Sequence, residues 1–273
     1  MRGRYGMGRR KSLGQNFLVS DLVRNRIIEA LSLEEDELVF EIGPGRGALT
    51  GGLVESGARI VAVELDSDLF DRLKADFSSS ERLEVINSDI RGFDFDREAE
   101  ARGYEGFKVV GNIPYYLTSS ILIAMTMQSR LIKAVLMVQR EVADRILAAP
   151  GTRRCGTLTI LLQSYFDVSR LMRVKQGSFN PPPKVESAVL ALVPDKKQGA
   201  PQDVLGFLDV LKSFFSMRRK KLGSIFRELY RVKADGSDSR TEPLTALVHM
   251  RPEELSLSMW FELFETVSSL KGS

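Results

Sequence analysis

The sequence predicts an α/β fold: a mostly parallel sheet with an antiparallel edge, followed by a small all-helical C-terminal domain. Three observations predict it. Short apolar runs alternate with helix-compatible stretches from about residue 21 to residue 148. Strands that alternate with helices fold as right-handed crossovers onto a parallel sheet. Two later apolar runs, Thr157 to Phe166 and Glu186 to Val193, have no long helix between them, which puts an antiparallel addition at one edge. Beyond residue 202 the apolar period becomes helical, with stripes through Val204, Phe207, Leu208, Leu211 and Phe215, then Leu222, Ile225, Phe226 and Leu229, then Leu257, Trp260, Phe261 and Phe264.

In chain order, residues 1–12 are rich in Gly and Arg and read as a flexible basic arm. The segment Leu13-Gly14-Gln15-Asn16-Phe17-Leu18 follows, and Ser20 caps a helix over about 21–32 with Leu22, Val23, Ile27 and Leu31 inward. Strands are expected at 38–42, 59–64, 83–87, 107–111 and 134–138. Helices are expected at 47–56, 67–77, 118–129 and 140–148, with a loop or loose helix over 96–102. Pro150 to Gly156 is a break. Thr157 to Phe166 and Glu186 to Val193 read as the last two strands. Pro181, Pro182 and Pro183 cannot join a ladder, so the loop from Phe179 to Val185 is stiff and superficial. The expected organisation is a first domain over 1–194, a linker over 195–202 and a helical domain over 203–273.

Charge is more informative in its distribution than in its sum. There are 39 Lys and Arg against 36 Asp and Glu, a net charge of +3. Residues 1–20 nevertheless carry five basic groups and no acid, and residues 216–233 carry seven basic groups against Glu228 alone. Two such patches point to a polyanion such as nucleic acid. The second contains Arg218, Arg219, Lys220 and Lys221. With one cysteine (Cys155) and one histidine (His249), neither an internal disulfide nor a Cys/His metal site can form, and a cytoplasmic setting is expected. No apolar run is long enough to span a membrane, and the basic N-terminus has no apolar stretch behind it to make a secretory signal.

The chemistry centres on Glu41-Ile42-Gly43-Pro44-Gly45-Arg46-Gly47, a glycine turn between a strand and a helix. Gly43 and Gly45 let the backbone bend and let a ligand approach the main chain. Glu64 closes the next strand 21 residues after Gly43, the spacing at which a carboxylate takes the ribose hydroxyls of a bound nucleoside. The pattern is G-x-G-x-G, unlike the G-x-G-x-x-G of dinucleotide sites. Glu41 would repel a pyrophosphate and suit a cation, such as the sulfonium and ammonium of S-adenosylmethionine. No catalytic His or Lys stands near a motif, which disfavours a nicotinamide-dependent enzyme.

Asn112-Ile113-Pro114-Tyr115 follows the fourth strand, so it lies at the carboxyl end of the sheet with the glycine turn, Glu64 and Asp89. An exocyclic adenine amine is a poor nucleophile because its lone pair is delocalised. The Asn112 amide oxygen and the Ile113 carbonyl can accept its two N–H bonds and favour a pyramidal nitrogen. Pro114 stiffens the turn, and Tyr115 offers a face on which an extruded base can stack. Phe179 is placed to cover the other face. Asp89 is placed to accept from the adenine amine of the cofactor. No metal is required.

Together these stretches resemble the KsgA/RsmA-type small-subunit ribosomal RNA adenine dimethyltransferases and, with them, the Erm-type methyltransferases. The matching segments are LGQNFL at 13–18, EIGPGRGALT at 41–50, VELD at 63–66, NSDI at 87–90, NIPYYLTS at 112–119 and FNPPPKVESAV at 179–189, with FFSMRRKKL at 214–222 resembling the start of the helical domain. The resemblance implies a Rossmann-like class I methyltransferase sheet and S-adenosylmethionine as methyl donor. It implies dimethylation at N6 of two adjacent adenines near the 3′ end of 16S rRNA, in the small ribosomal subunit, by an enzyme acting in ribosome biogenesis; a monomer is expected. By position, Asn16, Leu18, Gly43, Gly45, Glu64, Asp89, Ile90 and Asn112 would contact the cofactor. Asn112 and Tyr115 would hold the base with Phe179 stacking, and Arg218 to Lys221 would bind RNA. Tyr116 is a departure, since many bacterial members carry Asn or a small residue there. The alternatives are an Erm-type 23S rRNA enzyme and a non-catalytic ribosome-assembly factor of the same fold. The long FNPPPKVESAV loop and the basic C-terminal helix favour the small-subunit enzyme.

Overall fold

The computed structural model describes residues 16–232 and 244–271. The basic arm over 1–12, the first three residues of LGQNFL and Lys233 lie outside them. The strands are β1 (Phe17–Leu18), β2 (Leu38–Ile42), β3 (Arg59–Glu64), β4 (Leu83–Asn87), β5 (Phe107–Asn112), β6 (Leu131–Gln139), β7 (Phe166–Val174), β8 (Phe179–Asn180) and β9 (Ser187–Pro194). Helices α1 (Asp21–Leu31), α2 (Thr50–Glu55), α3 (Ser67–Asp76), α4 (Phe95–Ala101), α5 (Thr118–Met125), α6 (Arg140–Ile146) and α7 (Thr157–Tyr165) accompany the sheet. Helices α8 (Val204–Ser216), α9 (Leu222–Tyr230) and α10 (Leu257–Lys271) follow it.

Seven strands run in the order β4-β3-β2-β5-β6-β9-β7. The first five are mutually parallel, and β9 pairs antiparallel with both β6 and β7. This is the mostly parallel sheet with an antiparallel edge that the sequence predicts. Both faces are covered, which explains why the central strands are apolar throughout. Phe40, Ile42, Val63, Phe107 and Val109 face one buried layer, and Val39, Ile60, Ala62, Val110 and Val135 face the other. The first layer continues through α7 into the C-terminal helices, where Phe214 meets Trp260 edge-on at 6.0 Å and Phe226 at 5.4 Å.

One expected strand is a helix. Thr157–Tyr165 is α7, and the edge strand begins only at Phe166. The run shows no clear apolar stripe because most of its surface is enclosed, with Thr159, Ile160, Leu161, Leu162, Ser164 and Tyr165 all buried. Its start is marked by Thr159, whose hydroxyl accepts from the Gly156 amide at 3.1 Å and donates to the Arg145 carbonyl at 2.7 Å. A short apolar run of this kind has no periodicity that separates strand from helix. The loop after β7 also departs from expectation: Phe179 and Asn180 form a strand that pairs with Leu18 and Phe17.

Strand register assembles the sheet edge that matters. Ile42 pairs with Val63 on one side and Gly111 on the other, so Gly43, Glu64 and Asn112 emerge side by side at the carboxyl ends of β2, β3 and β5. Gly111 makes this possible, because a Cβ there would stand 2.8 Å from the Ile42 carbonyl oxygen.

Candidate functional site

A cavity of about 400 Å³ opens at that edge, within the range of small-molecule sites. Its lining includes Asn16, Leu18, Gly43, Gly45, Glu64 and Asn112, with Tyr115 and Phe179 toward one side. Eight of the expected site residues are therefore gathered round one space.

The glycine turn forms its floor. Gly43 and Gly45 have φ of +62° and +59°, a left-handed backbone that costs other residues roughly 1–2 kcal/mol. A Cβ at Gly43 would meet nothing within 4 Å, so the main chain there is bare to the cavity. At Gly45 a Cβ would press the Phe17 ring at 3.2 Å. That ring in turn lies under the Arg46 guanidinium, 4.3 Å from its centroid.

Two carboxylates face the same space. Glu64 braces the turn, accepting from the Gly45 amide at 3.0 Å and from the Asp66 amide at 3.0 Å. Glu41 is only 1% exposed and accepts from the Thr50 hydroxyl at 2.7 Å. Burial pushes its carboxyl up to about 7, opposed by the Thr50 hydrogen bond and reinforced by the nearby Glu64 charge. A buried acid at this value is poised to ionise when a cation arrives.

The Asn112 turn forms the opposite wall. The Asn112 amide donates through Nδ2 to the Asn16 carbonyl at 3.2 Å, leaving Oδ1 as an acceptor. Pro114 precedes a one-turn 3-10 helix, Tyr115–Leu117. The Tyr115 hydroxyl lies 3.4 Å from the Ser187 hydroxyl on β9. Phe179 is 4% exposed and sits in register with Leu18, with the ribbon extended by the Val19 amide donating to the Ser178 carbonyl at 2.8 Å. The segment beside the glycine turn and the loop beside the aromatic wall are thus one two-stranded ribbon. Strand pairing between residues so far apart in the chain leaves no local pattern in either segment, which is why the sequence alone does not disclose it.

Asp89 and Ile90 are not brought into the lining. Asp89 caps the turn Ile90–Gly92, and both its oxygens are taken by the Arg91 guanidinium at 3.0 Å, which holds its carboxyl down at about 2. The Ile90 side chain is buried in the layer beneath the sheet.

Arg218, Arg219, Lys220 and Lys221 are exposed on the bend between α8 and α9. Arg218 reaches back to the Arg153 carbonyl at 2.8 Å and borders a second, larger cleft of about 1000 Å³. Arg140, Arg145, Arg154 and Lys184 line that cleft as well. Lys184 lies within the FNPPPKVESAV segment, and the doublet Arg153-Arg154 stands in the break before α7, but neither is marked by sequence as part of a cleft. Among the described residues no helix is long and apolar enough to cross a membrane, and no cluster of three His, Cys, Asp or Glu could hold a metal ion.

A family model described as "Ribosomal RNA adenine dimethylase" matches residues 7–264. The chain belongs to that family. The sequence motifs led to the same family. A ribosomal RNA small subunit methyltransferase A from Geobacter metallireducens is 44% identical over 224 residues, 81% of each chain. One of the same name from Acidobacterium capsulatum is 40% identical over 93% of this chain and 90% of its own. Among solved structures, a dimethyladenosine transferase from Plasmodium falciparum superposes with a TM-score of 0.77 at 25% identity, over 93% of this chain and 98% of that one. The 23S rRNA methyltransferase ErmE gives 0.69 at 24% identity over 93% of this chain and 100% of its own, a likeness of fold. The Rossmann-like methyltransferase architecture is therefore that of the family.

Proposed function

We propose that this family member uses S-adenosylmethionine to dimethylate N6 of two adjacent adenines near the 3′ end of 16S rRNA in the small ribosomal subunit. The observation that carries the reading is the meeting, in one cavity, of a bare glycine turn, two carboxylates and an Asn-Ile-Pro-Tyr turn. The residues present fit the cofactor. Its ammonium and sulfonium are cationic and suit Glu41, its ribose hydroxyls suit Glu64, and the left-handed turn at Gly43 and Gly45 leaves room for its carbons against the main chain. Leu18 and Asn16 would cover it. Asp89 would accept from its adenine amine once released by Arg91, with Ile90 packing beneath.

When bound, S-adenosylmethionine supplies a methyl group already activated by a sulfonium, so positioning the acceptor does most of the work. Tyr115 and Phe179 would hold the extruded adenine between aromatic faces. Asn112 Oδ1 and the Ile113 carbonyl would accept the two N6 hydrogens and turn the nitrogen lone pair toward the methyl group. The Asn16 carbonyl, by engaging Nδ2, keeps the amide oxygen available for this. The proton released after transfer leaves to water at the open mouth.

The helical segment over 203–273, with Arg218 to Lys221 at its basic bend, would bind the ribosomal RNA through phosphates, setting register without reading sequence. The cleft beside Arg153 and Lys184 adds basic groups to that path. A monomer acting in the cytoplasm suffices for this role. The test is transfer of radiolabelled methyl groups from S-adenosylmethionine to unmethylated 30S subunits, with 23S RNA and 50S subunits in parallel. Label in N6,N6-dimethyladenosine of 16S rRNA supports the reading. Label only in 23S RNA points to the Erm-type activity, and no label in either points to a non-catalytic assembly factor.

A further inference from the structure

Tyr116 is left unused by the functions assigned above. It is 63% exposed, although its neighbours Tyr115 and Leu117 are half-buried and buried. It borders the same cavity, at the mouth. The short 3-10 turn Tyr115–Leu117, preceded by Pro114 and continued by α5, carries both tyrosines on one stiff piece of backbone. Two consecutive aromatic residues on such a turn cannot share one side, so one ring lines the interior and the next is presented to solvent.

The mouth of the cavity therefore offers an exposed aromatic face. Such a face is matched to one base of a single strand, which stacks on the ring.

We propose that Tyr116 is a second stacking platform, which holds the nucleotide next to the target adenine outside the catalytic cavity while the target lies against Tyr115. This rests on the methyl-transfer reading above and adds to it a subsite for the flanking base. A base extruded alone leaves its neighbour unstacked on one side, and an exposed ring at the mouth replaces that lost stacking. With two adjacent acceptor adenines, the same platform parks one while the other is modified. Tyr116 is thus a positioning residue for the RNA and touches neither the methyl donor nor the reacting nitrogen.

The variants are Tyr116→Ala and Tyr116→Phe in the full chain. Stacking on an aromatic residue contributes enough per base that its loss weakens binding roughly 5- to 150-fold. In Tyr116→Ala the KM for unmethylated 30S subunits should rise by such a factor, with kcat within about threefold and the Kd for S-adenosylmethionine unchanged. Tyr116→Phe should restore the KM. An RNA oligonucleotide carrying 2-aminopurine beside the target adenine should be quenched by the wild-type protein and by Tyr116→Phe, but not by Tyr116→Ala. A KM and a quenching signal that both survive Tyr116→Ala overturn the proposal. That result is distinct from a wild-type protein that methylates no ribosomal RNA, which would overturn the functional reading itself.

Discussion

Replacing Glu41 by Gln should make the empty protein less sensitive to alkaline pH and, at the same time, poor at binding its methyl donor. The Glu41 carboxyl is held at about 7, against an ordinary 4.5, chiefly by burial. A folded-state value above the unfolded one means that the folded protein holds this proton more tightly. The associated stability is fully present below about 4.5 and is lost as pH rises through about 7. At 1.36 kcal/mol per tenfold change in proton affinity, the whole loss comes to roughly 3 kcal/mol, of which about 2.5 kcal/mol falls between pH 5 and pH 8.5. Gln at this position can keep the hydrogen bond from Thr50 and carries no charge at either pH. Thermal melts of both proteins at the two pH values check this. Wild type should lose about 5–10 °C more than Glu41→Gln on going to pH 8.5, since each kcal/mol shifts the midpoint of a chain this size by about 2–4 °C. Calorimetric titration with S-adenosylmethionine supplies the other half. Binding to wild type near pH 7 should release part of a proton to the buffer, and Glu41→Gln should bind about 30-fold or more weakly, as expected when one partner of a buried charge pair is removed. Equal pH slopes for the two proteins, together with equal affinities, would refute the assignment of Glu41 as the acid that meets the cation.

Other outcomes follow from the same geometry. Gly43→Ala should destabilise the fold by only about 1–2 kcal/mol, from its left-handed φ, yet abolish measurable binding of S-adenosylmethionine by calorimetry, because the new methyl group would stand in the cavity. Phe17→Ala removes the ring beneath Arg46 and beside Gly45, and should raise the KM for the methyl donor about tenfold, at a cost of roughly 1.4 kcal/mol of binding, with little change in the KM for RNA. Replacing Arg218 and Arg219 together by Ala should weaken binding to 30S subunits and reduce the slope of log affinity against log salt by about 1 for each phosphate left without its cation. A salt series of binding isotherms reads that slope directly.

Much of this structure is legible in the residues because the parallel part of the sheet is built from local signals. Strands β2, β3 and β5 are largely apolar runs, and the site residues sit at their ends: Gly43 after Ile42, Glu64 closing β3, Asn112 closing β5. What escaped was non-local. Thr157–Tyr165 is mostly buried because α5, α6, α8 and β7 pack around it, a condition that no window of the sequence records. Strand β7 was masked by its exposed Asp167, Ser169 and Arg173, which alternate with half-buried residues on an edge. The ribbon of Phe17–Leu18 with Phe179–Asn180 joins residues far apart in the chain, so the link between the two sides of the cavity became visible only in three dimensions. One local feature also went unread: the Asp89 carboxylate, at the end of β4, is engaged by the Arg91 guanidinium two residues on.

The central physical claim is that the Asn112 amide reshapes an adenine amine for attack. Single-turnover methylation of unmethylated 30S subunits by Asn112→Ala tests it most directly, with the Kd for S-adenosylmethionine measured alongside. A fall in rate of about 100-fold or more, the scale on which a positioned hydrogen-bonding group acts in a transition state, with the Kd changed less than tenfold, is the predicted result. An unchanged rate, with the methyl donor and RNA both bound, would contradict it.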